Sequence, residues 1–178
     1  FAKVEASHLA LALDWVSDIY LNSTLPEKEI EKEKGVIIEE INMYLDTPML
    51  YIGELWKKVL YGDQPAGWEV AGTKESLAKM TREQILNYVK SQYVASNTII
   101  CVAGKMFPPQ VINEIKKYFS LVKITKPKSK PRVIEKQTKP QCLLLSKKTD
   151  QTHLTLGVRA YNVFHPQRYA QDVLSVIL

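Results

Sequence analysis

No apolar run in this chain approaches the ~18–20 residues of a membrane-spanning helix, so no span and no membrane partner are expected. The start, FAKVEASHL, has neither an initiator methionine nor a basic stretch followed by an apolar one, so it does not read as a signal peptide. Cysteine is scarce: Cys101 and Cys142 lie far apart, each in an apolar, strand-like run. That predicts two buried free thiols and leans towards a reducing, cytoplasmic setting. Histidine is scarce as well. His8, His153 and His165 stand alone, without an i,i+4 pair, and no Cys/His cluster has zinc-finger spacing. The scattered glycines exclude a phosphate-binding glycine loop, and no Ser/His/Asp or Cys/His grouping suggests a nucleophile.

What remains is an ordinary globular composition, long enough at 178 residues for one good-sized domain, or one domain and part of another. The net charge of +5 is unevenly spread. Residues 121–148 hold nine Lys/Arg against one acid, Glu135, a surplus of eight that leaves the rest of the chain at −3. The prolines of this stretch, and its lack of interleaved aromatics, fit a solvated linker over 122–140 better than a nucleic-acid surface. No nucleic-acid partner is expected.

Hydrophobic periodicity predicts helices over 8–21, from Pro26 to Asp46, over 49–60, 81–93 and 108–119, and from Pro166 onward. Thr73 and Thr81 read as N-caps, and 61–72 (YGDQPAGWEVAG) as a loop. The β-branched and apolar runs 97–103, 142–145 and 153–158 read as strands. Trp15, Tyr51 and Trp56, at helical spacing, read as core or interface. The resulting order of elements predicts an α+β chain. The last residues, DVLSVIL, stop in mid-pattern, so the expectation is a fragment or processed piece.

The strongest functional lead lies in EIEKEKGVIIEEINMYL. At about 100° per residue, Ile30, Ile37, Ile41 and Tyr44 share a face with Glu33 and Glu40. A carboxylate buried in an apolar stripe costs several kcal/mol unless paired, protonated or bound to a metal. Two readings stand: a solvated face with Lys28, Lys32 and Lys34 as partners, or a metal ligand with a supporting acid. A lone glutamate does not hold a hydrolytic zinc, which takes about three protein ligands and a water.

EKEKGVIIEEINMYLDTP resembles the third-ligand helix of the pitrilysin/insulinase family of zinc peptidases, especially its mitochondrial-processing-peptidase-like bacterial members. The run AGWEVAGTKESLAKMTREQILNYVKSQYVASNTIICVAG is similar to that family's GT-x-E-S turn, T-x-E helix, YxxxN bend and strand ending in AG. QTHLTLGVRAYNVFHPQRYAQDVLSVIL resembles the opening of its second domain. The resemblance implies a metalloendopeptidase whose zinc-activated water hydrolyses peptide bonds, with Zn2+ held by two histidines of an inverted H-x-x-E-H motif and by a later glutamate. It implies Glu40 as that metal ligand and Glu33 as the supporting acid. The H-x-x-E-H helix should lie before Phe1 and the substrate-clamping Arg and Tyr beyond Leu178, so this chain alone should be inactive.

The resemblance further implies helices on one face of a mainly antiparallel sheet. Residues 1–121 would end a first peptidase domain, 122–140 form the linker, and 141–178 begin a second, related domain. A peptide or unfolded protein would be the substrate, and another copy or a partner peptidase half would cover the exposed edges. The alternative is a non-catalytic structural or substrate-recognition subunit of a two-chain peptidase; retention of both glutamates speaks against it.

Overall fold

Helix ends fall where the sequence punctuates the chain. The structure, a computed structural model, describes residues 1–148 and 150–177; Thr149 and Leu178, both in the expected second domain, lie outside the described residues. The α-helices are α1 (Leu9–Leu21), α2 (Glu27–Asp46), α3 (Pro48–Tyr61), α4 (Lys74–Lys79), α5 (Arg82–Gln92), α6 (Pro108–Tyr118) and α7 (Arg168–Ile177). Pro48 and Pro108 stand in the first turns of α3 and α6, where a missing N–H leaves no bond unmade. Thr81 builds a capping box on α5: its hydroxyl accepts from the Gln84 N–H at 3.3 Å, and the Gln84 side chain accepts from the Thr81 N–H at 2.8 Å. No helix among the described residues is long and apolar enough to cross a membrane.

The chain divides into two units, each discontinuous in sequence: Phe1–Ile38 with Lys74–Lys130, and Glu39–Thr73 with Pro131–Leu178. In the first, α1 packs on α6, and Leu13, Leu77, Val94 and Val111 are buried. Ser17 is buried among them because its hydroxyl donates to the Asp14 carbonyl at 2.8 Å. Tyr20 stacks on Tyr93 with centroids 4.9 Å apart, and its hydroxyl lies 2.6 Å from Thr98 Oγ1, which donates to the Val94 carbonyl at 2.8 Å. Arg82 ties α5 to the turn before α2, donating to the Leu25 carbonyl at 2.7 Å and the Thr24 carbonyl at 3.1 Å. Leu25 itself takes a left-handed φ of 43°.

In the second unit Ile41 is the buried apolar residue, and α3 packs on the 3-10 turn Pro65–Gly67. Gly67 is required there, since a β-carbon would lie 2.3 Å from the Gly62 carbonyl oxygen. The segment from Pro131 to α7 has no regular structure among its described residues. Three polar side chains fix it. Gln64 donates to the Ile134 carbonyl at 2.9 Å and accepts from the Ile134 N–H at 2.8 Å. Lys147 caps the C-terminus of α2 through the Leu45 carbonyl at 2.6 Å and Asp46 at 2.9 Å. Arg159 donates to the Leu60 carbonyl near the end of α3. Each cation meets the negative end of a helix dipole. Beside Arg159, Gly157 is pressed against the Trp56 ring.

The expected α+β fold is not what forms: among the described residues there is no strand and no sheet. Thr98 is extended, but the bonds to the facing segment are made just before the run 97–103, by Ala95 N–H to the Lys123 carbonyl at 2.9 Å and by Ser96 Oγ to the Thr125 carbonyl at 3.0 Å, while the Asn97 and Thr98 N–H groups turn back to the Val94 and Ala95 carbonyls. A strand exists only with a ladder partner, and the runs 97–103, 142–145 and 153–158 find none. Their apolar side chains consequently face water: Ile99 is 95% exposed and Leu156 92%. Cys101 and Cys142, expected to be buried in these strands, are exposed free thiols for the same reason. Trp15, expected in a core or interface, is largely exposed, whereas Tyr51 and Trp56 are half-buried.

The accessible area is 15149 Å², whereas two separate compact bodies of half this mass each would together expose about 10,600 Å². Much apolar surface is therefore uncovered.

Truncating the fully buried Val94 to Ala should cost the first unit about 2 kcal/mol, measurable as a lower denaturation midpoint. In the second unit a β-carbon at position 157 would sit 2.7 Å from Trp56 Cζ2. Gly157→Ala should therefore destabilise by about 1–3 kcal/mol. Most of that penalty should vanish in a Trp56→Leu background, and an unchanged penalty there would show that the ring is not its cause.

Candidate functional site

Glu27 and Glu29 occupy the positively polarised first turn of α2, with Pro26 just before it. The helix passes from the first unit to the second between Ile38 and Glu39, so Glu33 belongs to one and Glu40 to the other. Around Glu33 the lysines serve other acids. Lys32 reaches Glu29 at 2.7 Å and Lys34 reaches Glu31 at 2.7 Å, both one turn back. Neither Glu33 nor Glu40 has an ion pair or hydrogen bond among the described residues, so the paired-lysine reading does not describe them.

Both carboxylates are exposed. The premise that they lie buried in an apolar stripe is corrected: Ile41 is buried, Ile30 and Ile37 are half-buried, and Tyr44 is exposed. Water solvates a carboxylate that no other element covers, so neither carries the cost of a buried charge.

The histidines each have local contacts. His8 ends a short 3-10 turn, with Nδ1 3.2 Å from Ser7 Oγ. His153, expected in a strand, lies in an unpaired extended run 3.0 Å from Gln151. His165 stacks on Tyr161 with centroids 4.0 Å apart. Among the described residues no three His, Cys, Asp or Glu side chains are grouped to hold a metal. Exposed carboxylates with no further His, Cys, Asp or Glu grouped beside them among the described residues do not fit a zinc ion by themselves.

Other polar groups cluster on α3. The Tyr51 phenol is held above its ordinary range by burial first, then by the carboxylates of Glu69 and Glu54. Glu54 Oε2 is enclosed 2.6 Å from Lys57 Nζ. Residues that sequence reasoning passed over are Gln64, Lys147 and Arg159. Lys147 was visible only as one charge in a basic stretch, and Gln64 carried no signal at all.

Residues 79–178 match the family model described as the Peptidase M16 inactive domain. That stretch leaves out α2. The whole chain, α2 included, aligns at 34% identity with an uncharacterized zinc protease of Bacillus subtilis, YmxG, covering 43% of that protein. Over 77% of its length it is 30% identical to the β subunit of the mitochondrial-processing peptidase of Neurospora crassa, covering 29% of that subunit. An M16-like peptidase from Alicyclobacillus acidocaldarius superposes on 67% of the chain with a TM-score of 0.60 and 27% identity, covering 28% of that chain. The chain thus spans about two fifths of the curated zinc protease it matches. Since the family model covers more than half of it, the chain belongs to the M16 peptidase family, the pitrilysin/insulinase family that its motifs resemble.

Proposed function

We propose that the protein carrying this chain is a zinc-dependent metalloendopeptidase in which Glu40 ligates the metal and Glu33 is its supporting acid. The supporting observation is that α2, in a chain aligned from end to end with a zinc protease, presents two solvent-facing carboxylates that no lysine neutralises. Zinc, when bound, supplies Lewis acidity and an activated water for peptide hydrolysis. Glu40 would contribute an oxygen ligand and Glu33 negative charge that keeps the ligand set basic. Phe1–Leu178 contains no H-x-x-E-H. The two histidines and the water-activating glutamate are read as supplied from outside these residues, and the chain alone as inactive.

Within this reading 1–121 closes a first peptidase domain, 122–140 links, and 141–178 opens a second. A peptide or unfolded protein is the substrate, and the setting is cytoplasmic. Another copy or a partner peptidase half covers the apolar surface left in water, in keeping with its extent. A second reading, a non-catalytic subunit of a two-chain peptidase, is favoured by the match of 79–178 to a domain described as inactive and by a relative named as one subunit of a processing peptidase.

Metal analysis separates the two. In the intact protein Glu40→Gln should abolish zinc retention and peptidase activity, and Glu33→Gln should weaken zinc affinity by about 10–100-fold. Unchanged metal content in both variants would sink the ligand assignment, and an intact protein that takes up no zinc would leave the subunit reading. Light scattering on the intact protein should return a dimer or a two-chain complex; a stable monomer contradicts the partner proposal.

A further inference from the structure

Helix α7 has no buried residue, and its 10 residues are too few to hold a helix in water by themselves. The turn before it supplies what packing does not. The Gln167 carbonyl accepts the first α7 bond, from the Gln171 N–H at 3.1 Å. His165 stands at that entry and takes two N–H groups. Its carbonyl accepts from the Arg168 N–H at 3.1 Å, and its ring Nδ1 accepts from the Gln167 N–H at 3.2 Å. The His165 N–H donates back to the Asn162 carbonyl at 2.9 Å, and the half-buried ring lies parallel to Tyr161, centroids 4.0 Å apart. The Tyr161 N–H in turn reaches Gln171 Oε1, on α7, at 2.8 Å.

Nδ1 accepts a hydrogen bond only while it carries no proton. Protonation makes it a second donor facing the Gln167 N–H, and it sets a cation at the positively polarised end of α7. Little nearby offsets that charge. Arg168, which opens the helix, is a cation itself; it donates to the Val163 carbonyl at 3.0 Å and lies over the Tyr169 ring at 4.4 Å. Asp172, the acid of α7, lies 3.9 Å from Arg168 Nε. No carboxylate pairs with His165 among the described residues. The Tyr161 ring attracts a cation as well as a neutral imidazole, so the stack persists and α7 is the partner that comes free.

We propose that His165 is a pH-sensitive latch on α7: the neutral ring closes the turn that starts the helix, and the protonated ring opens it. The bond is present where the ring is uncharged, so α7 is held at neutral pH and above. It is released as pH falls through the range in which an imidazole gains its proton. The latch governs a surface. Tyr169, Val173, Leu174 and Ile177 are exposed, and they form one apolar stripe only while α7 is helical. Neither His165 nor α7 enters the zinc proposal, so the two stand or fall separately.

The test is NMR of the isotope-labelled full chain from about pH 8 to about pH 5.5, spanning imidazole titration. The Cα shifts of α7 should move towards unwound values, with the helical-to-unwound ratio falling about fivefold, the net worth of one hydrogen bond. They should follow the ring resonances of His165 and not those of His8 or His153. His165→Asn places an oxygen acceptor near the position of Nδ1 and does not titrate, so α7 should stay helical throughout. His165→Ala should lower the ratio about fivefold at both ends of the range. Unchanged shifts in α5, in the other unit, show that each variant is folded. Shifts of α7 that stay flat in the native chain, the same pH response in His165→Asn, a native ratio in His165→Ala, or a transition following another histidine would each overturn the proposal.

Discussion

The second unit depends on polar side chains that reach the backbone. Its long extended segment has no ladder to hold it, and it is fixed at Ile134 by Gln64, at Lys147 by the end of α2, and at Arg159 by the end of α3. A helix terminus leaves its last carbonyls without intrahelical partners, and here two cations from a distant part of the sequence occupy them. The pairing answers two needs at once. It satisfies carbonyls at the ends of α2 and α3, in α3 beside the Gly62 cap whose N–H takes the Lys58 carbonyl, and it gives an otherwise unpaired segment fixed points of attachment. Between those points Gly157 lets the backbone lie against the Trp56 ring.

Helices were legible because their signals are local. The Thr81 box, the prolines opening α3 and α6, and the 3.6-residue spacing in α2 each act within a turn or two and need no distant residue. Strands were not legible in the same sense. The runs 97–103 and 153–158 have the composition of strands, but a strand is a relation between two segments, and composition describes one. Just before the first run Ala95 N–H reaches the Lys123 carbonyl and the Ser96 side chain the Thr125 carbonyl, and the pairing does not continue into 97–103. The buried thiols expected at Cys101 and Cys142 were inferred from those strands and fell with them.

At the candidate site, periodicity located Glu33 and Glu40 on α2 and resemblance supplied their proposed role. Their solvation was not legible, because burial depends on what packs over a helix face, and α2's own spacing says nothing of that. The lysine partners were misread for a related reason. Lys32 and Lys34 each have an acid three residues back and none three or four residues ahead, and both pair with Glu29 and Glu31. That pairing leaves the two glutamates of interest unneutralised. Family membership, by comparison, was carried by several motifs in order along the chain, a signal that survives errors in any single element.

The three attachments of the extended segment differ in kind. Gln64 holds Ile134 through two neutral hydrogen bonds, whereas Lys147 and Arg159 act through charge, and Lys147 is the more exposed of the two. Mobile ions screen exposed charges strongly, enclosed ones less, and neutral amides hardly at all. Rising ionic strength should thus loosen the segment in a fixed sequence, around Lys147 first, then Arg159, with Ile134 last. The unit carries a graded response to salt, written into which side chain was placed at each attachment.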